Sequence, residues 1–173
     1  GGSISGLGSA TGLQLLNGSE TLTVPANATS FTFTTAISHG NSYAVSVKTN
    51  PVGKTCSISS GGSGTITAAV TNVVVSCVVA QFSVGGTITG LGSATGLRLS
   101  NGAETISIPS NATKFLFSTL INYGGAYAVT VASQPVGKVC TVTANGSGTV
   151  NAAITNVAVT CDLPKFAIGG TIS

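Results

Sequence analysis

The chain has 173 residues, of which 42% are hydrophobic and only 5% are charged, and its net charge is +3. Because charged residues usually make up about 25% of a protein, the polar surface here must come from Ser, Thr, Asn and Gly, as in extracellular walls, fibres and stalks. The few basic residues form no cluster, and the longest apolar stretch (residues 72–82) falls short of the roughly 20 residues of a membrane helix, so we expect neither nucleic-acid binding nor membrane insertion.

The sequence repeats itself without a gap when it is shifted by 84 positions. The string "GLGSATGL" begins at Gly6 and again at Gly90, and "PVGK" begins at Pro51 and again at Pro135. A unit of this length is large enough to close its own core. The repeat therefore predicts two domains, residues 1–84 and 85–168, and residues 169–173 begin a third copy.

Short apolar runs alternate with a period of two, and in the first copy they are "ETLTVP", "SFTFT", "SYAVSVK" and "NVVVSC". Such runs, rich in Val, Thr, Phe and Tyr, are typical of half-buried strands. Turn signals separate them: Asn17-Gly18, Gly40, Pro51 with Gly53, and the "GGSG" at residues 61–64. About seven short strands in each copy predict an all-β chain of two tandem immunoglobulin-like β-sandwich domains.

Each copy contains two cysteines that are 21 positions apart, Cys56 with Cys77 and Cys140 with Cys161. Four cysteines allow three pairings, and only pairing within each copy treats both domains alike without forcing their cores together. One such disulfide would stabilise a domain by roughly 3 kcal/mol and implies an oxidising compartment. Zinc is the alternative, but the C-x-x-C spacing is missing and the chain has a single His, so we expect no metal.

The acid–base residues give little support for catalysis. They are Glu20, Glu104, Asp162 and His39, and His39 aligns with Tyr123, so the copies do not share it. A glycosidase needs two carboxylates across one bond, and a catalytic triad needs Ser, His and an acid. We therefore expect no enzymatic activity and no cofactor, and we interpret His39 as a loop residue beside Gly40.

One polar set recurs in both copies although charges are scarce. It consists of Glu20, Lys54 and Asn72, and of Glu104, Lys138 and Asn156. A Lys and an Asn can be joined by an isopeptide bond when a buried acid lies beside them, which requires all three in one core. The alternative is that Lys54 is solvated after a turn, Glu20 flanks a hairpin and Asn72 caps a turn.

The last residues repeat the first strand of a copy. They are Phe166, Ala167, Ile168, Gly169, Gly170, Thr171, Ile172 and Ser173. An apolar strand left unpaired invites association. We interpret this segment either as the start of a further tandem copy or as an assembly strand that is donated to the sheet of a neighbouring chain. Both alternatives make other copies of the chain its partner, in a head-to-tail homopolymer or a longer array.

The run "GGTITGL…GLRLSNGAETISI…FLFSTLINYGGAYAVTV" resembles the prealbumin-like and immunoglobulin-like repeats of bacterial surface proteins. The run "PVGKVCTVTANGSGTV…TNVAVTC" resembles the end of a repeat common in secreted proteins and lipoproteins of Gram-negative bacteria. The resemblance implies an extracellular modular role and carries over no site residues.

Two functions follow as hypotheses. The first is a structural repeat unit of an extracellular bacterial filament or surface stalk. The second is an adhesin-type module whose loops recognise a carbohydrate or a protein. The loops of the two copies are nearly the same, which favours a scaffold over a recognition surface, although weak repeated sites can still bind through avidity.

Overall fold

The computed structural model describes residues 1–169, and their regular structure consists of strands. The all-β prediction is confirmed. Nothing in the described chain forms a helix that is long and apolar enough to cross a membrane. The chain divides into two compact units, Gly1–Ala80 and Gln81–Ser173.

Unit 1 contains two four-stranded sheets, with the strands in the orders β4-β1-β8-β6 and β3-β2-β5-β7. In chain order the strands are β1 (Gly2–Ser5), β2 (Gln14–Asn17), β3 (Glu20–Thr23), β4 (Ser30–Phe31), β5 (Ser42–Thr49), β6 (Lys54–Ser60), β7 (Ser63–Thr65) and β8 (Val73–Val79). The first strand runs parallel to the last, with Ile4 opposite Val75, and the other neighbours are antiparallel.

Unit 2 repeats this arrangement in the sheets β13-β10-β18-β16 and β12-β11-β15-β17, and adds a two-stranded pairing, β9-β14. Its strands are β9 (Gln81–Phe82), β10 (Val84–Thr89), β11 (Arg98–Asn101), β12 (Glu104–Ser107), β13 (Lys114–Leu116), β14 (Ile121–Asn122), β15 (Ala126–Ser133), β16 (Val139–Ala144), β17 (Ser147–Thr149) and β18 (Ile154–Asp162). The counterpart of β1 in this unit, β10, again runs parallel to the last strand, β18.

The boundary between the units lies before Gln81 and not at Gly85, where the repeat period places it. The reason is the extra pairing in unit 2, because β9 forms its ladder with β14, with Phe82 opposite Ile121. Residues 81–84, which the sequence assigns to the end of the first domain, therefore belong structurally to the second.

Each unit has one core, to which both of its sheets contribute. In unit 1, Ile4 and Val75 come from one sheet and Leu15 and Val45 from the other, and all four lie in a single buried cluster. Period-two alternation produces this arrangement, because every second side chain of a strand points to the same face. Both units are therefore β-sandwiches.

The disulfides join Cys56 to Cys77 and Cys140 to Cys161. In each unit the two cysteines lie directly opposite each other on neighbouring antiparallel strands, β6 with β8 and β16 with β18. The pairing within each copy is the predicted one. Each bond links two strands of the same sheet, and one of these is the last strand of its unit.

The glycine pair that opens each copy is explained by close packing. A Cβ atom on Gly2 would overlap the carbonyl oxygen of Val73 on β8, and a Cβ atom on Gly86 would overlap that of Val157 on β18. A side chain at either position would force the first and last strands of the unit apart.

Candidate functional site

The glutamate that recurs in both copies joins a loop to a β-hairpin through hydrogen bonds. Glu20 accepts hydrogen bonds from the Thr34 N–H (2.7 Å), the Thr34 hydroxyl (2.8 Å) and the Thr35 N–H (3.0 Å). Glu104 accepts the equivalent three bonds in unit 2, at 2.7–2.9 Å. Each carboxylate therefore binds the chain that follows β4 or β13, and its oxygen atoms are already engaged.

These hydrogen bonds stabilise the charged form of the carboxylate. They lower the pKa of Glu20 to about 2, with the Thr34 N–H as the largest cause, and that of Glu104 to about 2, with the Ser118 hydroxyl as the largest cause. A group with so low a pKa is a poor proton carrier near neutral pH. The recurrent glutamates are thus suited to holding the neighbouring loops in place and not to acid–base chemistry.

The proposed isopeptide set does not come together in unit 1. Lys54 lies opposite Val79 at one end of the β6–β8 ladder, whereas Asn72 immediately precedes Val73 at the other end. At about 3.4 Å per residue the two are on the order of 20 Å apart along the strand. Glu20 lies at the surface and is bonded to another loop. The isopeptide hypothesis is therefore incompatible with this fold, because it needs all three groups in one core.

The same separation holds in unit 2. Lys138 directly precedes Val139, which pairs with Asp162 at the far end of β18, while Asn156 lies near the beginning of that strand. Both asparagines are exposed. Lys138 and Asn156 therefore cannot be bonded to each other either.

His39 lies exposed next to the turn at Gly40. Within residues 1–169, no three His, Cys, Asp or Glu side chains lie together in a way that could hold a metal ion.

Unit 1 carries an open apolar pocket of about 380 Å³ beside Gly1. Its walls include Phe33, Ile37, Tyr43, Ile66 and Val70. All five side chains are only partly buried, and three of them, Phe33, Tyr43 and Val70, pack against the core of unit 1.

The corresponding place in unit 2 is closed. The counterparts of Phe33, Tyr43 and Ile66 in unit 2 are Phe117, Tyr127 and Val150. These three side chains are only 1%, 8% and 0% exposed. The segment before the glycine pair belongs to the same core. Val84 is 0% exposed and lies in the same buried cluster, and Phe82 packs against that cluster.

The backbone of residues 83–84 is also hydrogen-bonded within unit 2. The Val84 carbonyl accepts from the Phe117 N–H and the Ser83 carbonyl from the Ile154 N–H, each at 2.9 Å. In unit 1, the corresponding N–H groups of Phe33 and Val70 donate to no backbone acceptor in the described part of the chain. The counterparts of residues 82–84 fall before Gly1, outside the printed sequence.

The C-terminal segment contains the same apolar pattern. Phe166 and Ile168 stand 84 positions after Phe82 and Val84, and they are 85% and 103% exposed. The sequence predicts an assembly strand over residues 166–173, but residues 166–169 belong to no strand. Gly170, Thr171, Ile172 and Ser173 lie outside the described residues.

The sequence reasoning missed that the residues before a glycine pair belong to the core of the unit that follows, although a signal was present. The pattern Phe-x-Val-Gly-Gly at Phe82 returns as Phe-x-Ile-Gly-Gly at Phe166. Only the burial of Val84 reveals that those apolar residues are part of the core of the unit that follows them.

No protein-family model matches the chain, and no curated protein is significantly similar to it. The resemblance to bacterial surface repeats therefore stays a prediction.

Proposed function

We propose that the chain is a structural repeat unit of an extracellular bacterial filament or surface stalk, in which units follow one another head to tail. The observation that carries the proposal is the place of Phe82 and Val84. Phe82 lies in β9 and Val84 is the first residue of β10, and both belong to the core of unit 2. The core residues of unit 2 thus begin two positions after Ala80, the last residue of unit 1, without a flexible spacer, which suits a continuous series.

The organisation of the two units supports a scaffold. Both have the same strand order, their own core and their own disulfide. The parallel pairing of first and last strands and the packing of two mainly antiparallel sheets are the basis for assigning the units to the immunoglobulin-like type. Each unit then withstands local opening, because a covalent bond holds its last strand.

The disulfides and the composition support the extracellular part of the proposal. Disulfides form and persist in oxidising compartments. The surface of an extracellular fibre can rely on hydroxyl and amide groups, which agrees with a charged fraction of only 5%. A location on the cell surface or in secreted material follows.

The alternative is an adhesin-type binding module for a carbohydrate or a protein receptor. Such a module would use polar groups in its loops. The recurrent carboxylates of Glu20 and Glu104, at the beginning of β3 and β12, instead bind the neighbouring loops through matching internal hydrogen bonds in both units. This observation favours a scaffold, so we develop only the structural role.

Immunogold electron microscopy of cells that make the protein tests this role, with antibodies raised against the 173-residue chain. We expect label on filaments or stalks outside the cell, at regular intervals. Label confined to the cell interior, or to dispersed particles in the medium, would contradict the proposal.

A further inference from the structure

We propose that Asn27 and Asn111 are acceptor sites for an N-linked sugar, one in each unit. Both begin the sequence Asn-Ala-Thr, which has the form Asn-x-Ser/Thr that N-glycosylating enzymes recognise. The two sites occupy the same position of the two copies, because they lie 84 residues apart. The inference rests on one loop of each unit and does not depend on the proposed structural role.

A tight turn presents each asparagine. In unit 1 the Ala28 N–H donates to the Pro25 carbonyl, and unit 2 has the equivalent bond, both at 3.3 Å. Asn27 and Asn111 are the third residues of these turns, with φ angles of 61° and 60°. Gly and Asn are the residues that best tolerate this conformation, so the turn by itself accounts for an asparagine at this position.

The turn does not account for the threonine that follows two positions later. The carbonyl oxygens of Thr29 and Thr113 accept hydrogen bonds from the Ile4 and Ile88 N–H groups, at 2.8 and 2.9 Å. Any residue could supply these backbone bonds. The threonine side chains are exposed in both units. Their hydroxyl groups are therefore accessible as the second recognition group of a glycosylation site.

The alanine between the two polar residues anchors the loop. Ala28 packs against the core of unit 1 and Ala112 against the core of unit 2, whereas the residues on either side of each alanine are exposed. The Asn27 N–H donates to the Gly8 carbonyl at 2.6 Å, and this bond also recurs in unit 2. The loop thus exposes the carboxamide and the hydroxyl to solvent on a well-bonded backbone.

The chain contains two more sequences of this form, and their side chains are engaged in hydrogen bonds. Asn145 is exposed, but its side-chain nitrogen donates to the Asn156 carbonyl at 3.0 Å. Asn17 is half-buried, and its side-chain oxygen accepts from the Ala44 N–H at 3.2 Å. Neither sequence recurs in the other copy. These two positions are therefore poorer acceptors than the asparagines of the turns.

The reaction needs a side-chain nitrogen that is accessible and not already bonded. Within residues 1–169 the carboxamides of Asn27 and Asn111 make no hydrogen bond, and both side chains are exposed. The nitrogen displaces phosphate from the anomeric carbon of a phosphate-activated sugar, which an enzyme of the cell presents. A C–N bond forms, the C–O bond to the phosphate breaks with its electron pair on the phosphate, and the nitrogen gives up one proton.

A sugar on each unit would add polar surface to a chain that has few charges. Charged residues make up only 5% of the sequence, although charge is the usual means of keeping a protein dispersed. An N-linked sugar is bulky and solubilising. We therefore expect the modified chain to stay soluble at higher concentration than the unmodified one.

Mass spectrometry of the chain isolated from the cells that make it tests the inference. We expect an intact mass above that of the disulfide-bonded sequence by two sugar groups. Fragmentation of proteolytic peptides should place one group on Asn27 and one on Asn111. The peptides that contain Asn17 and Asn145 should be unmodified.

Two double variants, made in the same cells, test the site itself. Asn27→Gly/Asn111→Gly retains a residue that accepts the positive φ of the turn, and it should lose both sugar groups. Thr29→Ala/Thr113→Ala keeps both asparagines but removes the hydroxyl groups, so it should lose both sugar groups as well.

The matched control is Ser19→Ala/Ser147→Ala, which destroys the other two Asn-x-Ser sequences. It should retain both sugar groups. Far-UV circular dichroism and the absence of free thiols verify that each variant is folded, and the peptide map of the wild-type chain decides the question without any variant.

A native chain whose mass is that of the disulfide-bonded sequence overturns the inference. So does a sugar that is found only on other residues, or one that persists after the threonine hydroxyl groups have been removed. These failures differ from that of the proposed function. Gold-labelled filaments made of an unmodified chain would leave the structural role intact and refute only this site, whereas a modified chain without filaments would do the reverse.

Discussion

Val84 and Ile168 occupy the same repeat position but have opposite environments, which allows a matched test. Val84 is 0% exposed in the core of unit 2, whereas Ile168 is 103% exposed. Val84→Ala removes two buried methyl groups, at about 0.8 kcal/mol each, and leaves a cavity in the core of unit 2. We expect the free energy of unfolding of unit 2 to fall by about 2–3 kcal/mol in total. Ile168→Ala should leave it unchanged in the monomer.

Urea unfolding followed by hydrogen-exchange mass spectrometry is the appropriate assay, because it resolves peptides of the two units separately. The chain is kept oxidised and at about 5 µM, where we expect a monomer. An effect of less than about 0.5 kcal/mol for Val84→Ala would refute the reasoning, since that is the usual range of surface substitutions. Equal losses for Val84→Ala and Ile168→Ala would refute it as well.

Three further predictions concern the units themselves. Reduction of both disulfides should lower the free energy of unfolding of each unit by about 3 kcal/mol, measured from urea midpoints with and without reductant. The pKa of Glu104 is about 2 in the folded chain against 4.5 ordinarily, so its contribution to stability is present above about pH 4.5 and is lost as the pH falls through 2. Glu104→Gln should therefore show a smaller drop in urea midpoint between pH 6 and pH 2.5 than the wild type, and an equal drop would contradict this role. Gly86→Ala should destabilise unit 2 by several kcal/mol because its Cβ would overlap a backbone oxygen, whereas Gly169→Ala, which meets nothing within 4 Å, should be neutral in thermal unfolding.

The strands and disulfides could be predicted because their signals are local or repeated. Alternation places Val73, Val75 and Cys77 on one face, and the structure buries all three. Cys56 and Cys77 recur with the same spacing in the second copy, which selects one of three pairings. Such features need no knowledge of how distant segments meet.

The role of Glu20 could not be predicted, because it depends on a contact between separate segments. Its partner Thr34 is 14 residues away, and nothing in either local sequence specifies the hydrogen bonds. The recurrence of Glu20 with Lys54 suggested a shared site, but recurrence only shows that each residue is needed in the repeat. The register of β6 with β8 places Lys54 far from Asn72.

The domain boundary and the core role of Phe82 were missed for the same physical reason. Periodicity identifies the length of a repeat but not where one folding unit ends and the next begins. The repeat period places Phe82 in the first domain, whereas its pairing with Ile121 makes it part of unit 2. Burial and hydrogen bonding show where a folding unit begins, and both depend on the three-dimensional structure.

The central claim is that Phe82 and Val84, which follow unit 1 directly in the chain, are part of the core of unit 2. Amide exchange at Phe117 and Ile154, measured by NMR in the wild type and in the variant Phe82→Ala/Val84→Ala, tests it most directly. We predict that exchange at both amides is faster in the variant, because these N–H groups donate to the carbonyl oxygens of Val84 and Ser83, and that exchange in unit 1 is unchanged. Exchange that is equally slow at Phe117 and Ile154 in the two proteins would contradict the account.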